Sequence, residues 1–456
     1  MSQAMKEQGR SSVRRFKLYP EYKDSGFEWL GEIPAHWEVR RLKTIARVQL
    51  SNVDKKSVEG DVPVRLCNYV DVYYNDHITS AIEFMSATAT PEQRERLSLR
   101  RGDVLITKDS ESWTDIAVSA VVTEDFDDVV SGYHLAHIRP LPELDGRFLA
   151  RAFSAVGPRD QFQIAANGIT RFGLSSDAIK DGLFAVPPLS EQLAIAAFLD
   201  RETTKIDALV AKKERLIELL QEKRSALITR AVTKGLAPNV PMKDSGVEWL
   251  GEIPAHWSAV RVKSITAEHK QGFYTEQAYV DDGVKLARIT DVDDDGNVSF
   301  ANMPFVQITK KAELEFGISE GDFLFARSGT IGRFGIVRQP ERAVFASYLI
   351  RFRFAAMDLE FLRYAFGSRC FRESLISSLH GGANQNVHAE NIKERWIAVP
   401  LLPEQALIAK FLDGETTRLD GLIRSVRDAI DHLRGLRTAL ISAAVTGRID
   451  VRDETV

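Results

Sequence analysis

KDSGFEWLGEIPAHW at residues 23–37 returns with a single change as KDSGVEWLGEIPAHW at residues 243–257. A long internal repeat decides architecture before any local reading does, so the chain is two copies of one unit. A second pair of segments fixes the order of the parts. VPPLSEQLAIAAFLDRETTKIDALV at 186–210 realigns on VPLLPEQALIAKFLDGETTRLDGLI at 399–423. The unit is therefore signature, variable stretch and helix, and then the same again.

Composition narrows the class. The chain has 456 residues, 44% of them apolar, which is enough for well-formed cores. No apolar run approaches the roughly 18 residues of a membrane span, and the charged N-terminus lacks the apolar core of a signal peptide. A cytoplasmic location is expected. Cys67 and Cys370 lie at unrelated positions in the two halves, which argues against a disulfide framework or a cysteine metal site. A formal net charge of −4 gives no general basic excess for nucleic acid.

Two segments read as long rods. In the first copy apolar residues recur every seven positions, Leu199, Ile206, Leu220 and Leu227 on one row and Ile195, Leu209 and Leu216 on the other. The second copy repeats the schedule with Leu412, Leu419, Val426, Leu433 and Leu440, and with Ile408, Leu422, Ala429 and Leu436. That is a coiled-coil seam, and about 44 helical residues make a rod of roughly 65 Å. An apolar seam cannot stay wet, so the rods are expected to pair antiparallel with each other.

The variable stretches read as mixed α/β, with short β-type runs bounded by Gly and Asp turns and amphipathic helices near their ends. They share layout more than sequence: Gly102-Asp103 matches Gly321-Asp322, and the loop GITRFGL matches GGANQNV. The expected fold class is α+β, with two recognition modules separated by two paired helices. Boundaries fall at 1–22 (extension), 23–187 (first module), 188–237 (first helix), 238–400 (second module) and 401–450 (second helix).

Chemistry-bearing motifs are sparse. DVDDDGNVSFAN from Asp291 spaces Asp291, Asp293, Asp295 and Gly296 like a calcium loop, but Asn302 stands where a bidentate Glu is needed, so it reads as a turn. The chain has no GxxxxGK[ST] phosphate loop. It also lacks the N/D-P-P-Y/F tetrad of adenine methylation. His36 and His256, inside the signature, have no partner ligands at metal spacing and read as packing residues, and no metal site is expected. Glu202-Thr203-Thr204 and Glu415-Thr416-Thr417 fall on heptad rows and read as polar register-setters rather than catalysts. Base-contacting residues must lie where the copies diverge. Lys108, Arg171 and Arg327 suit guanine O6 and N7, while Asn384, Gln385 and Asn386 suit adenine N6 and N7.

The paired motifs KDSGxEWLGEIPAHWxxxRxK and AVPPLSEQxxIAxFLDxETxxID, with a divergent region, GDxL and a Gly-rich loop between them, resemble the DNA-specificity subunit of type I restriction-modification systems. The likeness covers nearly the whole chain beyond its first twenty or so residues. It implies two target-recognition domains, each reading one half of a bipartite asymmetric site in double-stranded DNA, with the helices as the ruler for the spacer. It implies a non-catalytic chain with no cofactor of its own. Two methyltransferase subunits would bring S-adenosylmethionine, and endonuclease-translocase subunits would bring ATP and Mg2+. The competing expectation is a coiled-coil scaffold that selects no DNA sequence.

Overall fold

The computed structural model describes residues 16–275, 278–293, 296–329, 332–379 and 386–454. The chain divides into two compact units, Met1–Lys213 with Asp428–Val456 and Glu214–Arg427. Each unit holds one signature, one variable module and a portion of each long helix.

In the first unit a five-stranded sheet runs in the order Ala46–Leu50, Leu135–Pro140, Val104–Thr107, Ser119–Val122, His77–Ile78. Its pairings are antiparallel except the last. Val104–Thr107 is buried at every position, which is why VLIT is a continuous apolar run without alternation. A three-stranded sheet, Val129–Ser131, Val62–Cys67, Met85–Ala89, completes the module. The second unit repeats the plan with Thr266–Gln271, Leu349–Phe354, Phe323–Ala326 and Phe334–Ile336, plus Phe305–Val306, Val284–Ala287 and Ala343–Phe345.

The Gly-Asp pair shared by the two modules has a structural cause. Gly102 and Gly321 turn with φ of +91° and +83°, a region that favours glycine, and feed the central strand. Asp103 is buried and takes Arg139 Nε at 2.8 Å, the Arg100 backbone N–H at 2.8 Å and His137 Nε2 at 2.8 Å. Asp322 repeats the arrangement with Arg353 Nε at 2.6 Å and the Ser319 N–H at 2.8 Å.

Each signature is a small hairpin that docks on a helix start. Tyr22–Asp24 pairs with Glu32–Pro34, and Met242–Asp244 pairs with Glu252–Pro254 in the same register. Trp37 and Trp257 are fully buried. His36 Nε2 lies 2.8 Å from Glu191, Trp37 Nε1 donates to Glu191 at 3.0 Å, and the Tyr19 hydroxyl donates to the same carboxylate. In the second unit His256 Nε2 lies 2.9 Å from Glu404, whereas Trp257 Nε1 makes no hydrogen bond among the described residues. The neighbouring glutamines also act alike. Gln192 and Gln405 are buried and accept the N–H of Asp145 and Asp358, the capping residues of the module helices Gly146–Ser154 and Leu359–Gly367. Replacing Glu191 by Ala strands the Trp37 and Tyr19 donors and costs about 1–3 kcal/mol, read as a fall in unfolding midpoint. Glu404→Ala, with no tryptophan donor to strand, costs less.

The long helices span Leu189–Lys234 and Leu402–Val445. Within the first unit Ile206 shares a core with Leu433 and Leu440, and Arg437 reaches Asp207 at 3.0 Å. Within the second, Ile228 shares a core with Ile408 and Leu412, and Arg224 reaches Asp420 at 3.1 Å. Rising numbers on one helix meet falling numbers on the other, so the segments run antiparallel in both units.

The seam differs from expectation in one row. Leu199, Ile206, Leu412, Leu419 and Leu440 are buried, and Leu220, Leu227, Val426 and Leu433 are half-buried. Leu209, Leu216, Leu422 and Leu436 are instead exposed, by 43%, 42%, 44% and 54%. The partner row lies one residue further along: Ala196, Thr203, Ala409, Thr416, Ile423 and Ile430 are buried. Successive helical residues rotate by about 100°, so a one-place shift carries a side chain off the seam. Ile195 and Ile408, from the expected row, are buried beside the modules. Thr416 donates to the Leu412 carbonyl at 2.7 Å, which lets a hydroxyl sit dry on the seam.

Candidate nucleic-acid interface

Lys108 and Arg327 occupy one position in two frames. Each follows the central strand of its sheet, Val104–Thr107 or Phe323–Ala326. The Lys108 N–H donates to the His134 carbonyl at 3.0 Å, and the Arg327 N–H to the Tyr348 carbonyl at 2.9 Å. The Lys108 carbonyl accepts from Leu174 N–H at 2.8 Å, and that of Arg327 from Val387 N–H at 2.7 Å. The backbone thus brings the divergent loops, 167–174 and the segment from 386, to the same end of each sheet.

The side chains there differ. Lys108 is nearly buried: its Nζ lies 2.8 Å from Asp109 and 4.6 Å from the Tyr133 ring centre. His134 Nδ1 lies 3.0 Å from the same carboxylate. Burial alone would raise the Asp109 carboxyl, but the hydrogen bonds from Lys108 and His134 outweigh it and hold it below the ordinary value. Lys108 therefore serves as an internal ion-pair partner, and a base contact would have to compete with Asp109. Arg171 is exposed, with Nη2 3.4 Å from His134 Nε2. Its loop is held by the pairing of Phe172–Gly173 with Asp109–Ser110.

Aromatic rings beside these groups escaped the sequence reading. Tyr69 and Tyr73 stack at 5.4 Å, Tyr74 meets Tyr73 edge-on at 4.9 Å, and the Tyr73 hydroxyl donates to Asp115 at 2.6 Å. Tyr74, Trp113 and Tyr133 are exposed. The run YVDVYY alternates as a strand would, yet residues 69–73 form a short helix.

In the second unit Arg327 donates to the Ser347 carbonyl at 3.3 Å. Ser347 and Tyr348 border a cleft of about 630 Å³, also lined by Phe273, Tyr274, Tyr279 and Arg288. Arg288 is tied bidentately to Asp291, so that acid belongs to an ion pair. Asn386 is exposed, while Asn384 and Gln385 lie outside the described residues. Asp295 of the calcium-like run does too; Asp293 accepts the Asn297 N–H at 2.7 Å, as a turn requires. Cys67 is buried and Cys370 partly so, and burial pushes both thiols up. No helix among the described residues is long and apolar enough to cross a membrane.

Known proteins share this arrangement. Residues 287–424 match the family model described as type I restriction modification DNA specificity domain. The chain is 24% identical to the type I restriction enzyme EcoBI specificity subunit of Escherichia coli, over 62% of each chain. It is 25% identical to the MjaVIII specificity subunit of Methanocaldococcus jannaschii, over 59% of this chain and 62% of that one. These alignments thus span less than two thirds of the relatives' length. A putative MjaX specificity subunit from the same archaeon aligns over 94% of this chain and 98% of its own, at 22% identity. Among solved structures, a chain of a type I R-M system superposes with a TM-score of 0.71 over 91% of this chain and 98% of that one, at 14% identity. The HsdS subunit from Thermoanaerobacter tengcongensis gives 0.53 over the same shares and at the same identity. The solved structures share the fold of this chain, mixed modules that alternate with long helices. The family-model match thus falls within the second half of the chain, and the curated relatives named above align at 22–25% identity.

Proposed function

We propose that the chain is the sequence-reading subunit of a type I restriction-modification complex, each unit recognising one half of a bipartite DNA target and the long helices setting the spacer. The observation that carries this reading is the pair of matched backbone frames bearing unlike side chains. The same two hydrogen bonds hold Lys108 and Arg327. Around them stand Tyr133, His134 and Arg171 in one unit and Ser347, Tyr348 and Asn386 in the other. One scaffold with two chemistries suits two different short sequences, since base contacts specify while the frame positions. The chain itself is read as non-catalytic. Methyltransferase partners with S-adenosylmethionine and endonuclease-translocase partners with ATP and Mg2+ would supply the reactions.

Arg171→Ala and Arg327→Ala test the division of labour. Each lowers affinity for the cognate duplex about 10- to 100-fold and relaxes discrimination in its own half-site only, the worth of about 1–3 kcal/mol per base contact. Binding to duplex libraries by the full chain, with and without methyltransferase subunits, reads this out. Loss of discrimination in both halves from one substitution, or no sequence selection by the unsubstituted chain, would refute the reading.

A further inference from the structure

The two units differ beside their helix pairs. In the first, the Val121 N–H donates to the Asp76 carbonyl at 3.0 Å. The Asp76 carboxylate receives Arg151 Nη1 at 2.6 Å and also Arg437, which in turn reaches Asp207 at 3.0 Å. Burial would raise this carboxyl, but Arg151 and Arg437 outweigh it and hold it below the ordinary value. The first unit thus places an internal anion against the arginine of its helix pair.

The second unit keeps the frame and omits the anion. The corresponding N–H, on Ile336, donates to the Gly296 carbonyl at 2.8 Å. Arg224 meets Asp420 as Arg437 meets Asp207, but glycine has no carboxylate to add. A cleft of about 670 Å³ opens beside Arg224, lined also by Arg372, Arg424 and Arg427, with Asp420 as the one carboxylate in its wall among the described residues. Arg424 and Arg427 are exposed and make no ion pair among the described residues. They lie three residues apart on one helix face, where like charges repel. At the matching places of the first long helix stand Ala211 and Glu214. Arg424 and Arg427 thus bring two guanidinium groups to the cleft beyond the Arg224–Asp420 pair. Forked donors of this kind fit the several oxygens of a phosphate.

We propose that this cleft is a phosphate-binding site that takes a backbone phosphate of duplex DNA, and that the first unit lacks its charge because Asp76 adds a carboxylate to Arg437 and Ala211 and Glu214 stand at the matching helix positions. The assignment to duplex rests on the DNA-reading function proposed above. Such an interaction anchors the second unit without reading bases, so it adds affinity and salt dependence but no sequence preference.

The test compares the full chain with its Arg424→Ala/Arg427→Ala variant, both exposed helix positions whose truncation leaves the fold intact. Two probes are used: cognate duplex across a salt series, and inorganic phosphate followed by thermal shift. The expected result is a weaker duplex affinity, a salt slope shallower by about 1 to 2, roughly 0.9 for each phosphate no longer neutralised, and unchanged discrimination in both half-sites. An unchanged slope overturns the duplex assignment. If phosphate then still stabilises the unsubstituted chain but not the variant, the cleft serves a free phosphate compound instead. If neither probe responds and the variant loses copurifying methyltransferase, the arginines meet a protein carboxylate and the phosphate proposal falls. Should the unsubstituted chain bind no duplex at all, alone or with methyltransferase, the DNA reading fails. The inorganic phosphate arm would still decide the chemistry of the cleft.

Discussion

Leu199→Asp and Leu412→Asp each unfold their unit at temperatures where the unsubstituted chain is intact. Both leucines are completely buried, one in the core that holds Ile206 and Leu440, the other with Ile228 and Ile408. Replacing either removes a packed side chain, worth about 2–5 kcal/mol, and forces a carboxylate into a dry seam. The control is equally telling. Leu209→Asp, Leu216→Asp and Leu422→Asp, on the row that heptad spacing also offered, change stability by no more than about 0.5 kcal/mol because those side chains are exposed. Calorimetric melting of the five variants separates the two assignments of the seam. Equal losses in all five would place Leu209, Leu216 and Leu422 in a buried interface.

Asp103→Ala is the second large effect. The carboxylate is 2% exposed and bonds to Arg139 and His137, so its removal leaves the half-buried Arg139 guanidinium and the buried His137 ring without their partner, a loss of about 3–5 kcal/mol. The pH dependence has a definite sign. Burial would raise the Asp103 carboxyl, but the hydrogen bonds from Arg139 and His137 outweigh it and the folded value lies below the ordinary one. The stabilisation is therefore present above about pH 4, the unfolded carboxyl value, and is lost as pH falls through the folded value. Urea midpoints from pH 7 downward should show the gap between the unsubstituted chain and Asp103→Asn narrowing only below about pH 4. A gap that stays constant into strong acid would mean that the charge on Asp103 does not stabilise the fold.

Much of the architecture was legible in the sequence because repeats and periods are local in code. The duplicated signature, the two rods and the paired Gly-Asp turns all rest on short strings whose physics is local. The partner row of the seam was misread because leucine looks like core and threonine does not. Yet Thr203 and Thr416 are buried, their hydroxyls bonded back into their own helices. Glu191, Gln192 and Gln405 are buried and Glu404 is half-buried. Their burial follows from hairpins and caps that arrive from about 50 to 150 positions away. At the interface, the sheet-end cations could be placed by their position after the strand. The neutralisation of Lys108 could not be seen, because His134 and Tyr133 reach it only through strand pairing. Tyr69, Tyr73 and Tyr74 were hidden by an alternation that suits a strand as well as a short helix.

The division of the chain into Glu214–Arg427 and a unit built from both remaining segments sets a clock on the ribosome. Synthesis runs from the N-terminus, and domains generally fold as they emerge. Here the interior unit is contiguous and has all its residues once position 427 is out. The unit that contains the first signature must hold its Ile206 surface open until Leu433 and Leu440 are made. The earliest-translated module is thus the last to close, and the nascent chain carries half a helix pair as unsatisfied apolar surface for most of its translation. Truncation near the C-terminus would accordingly injure the N-terminal module first, the reverse of what the linear order suggests.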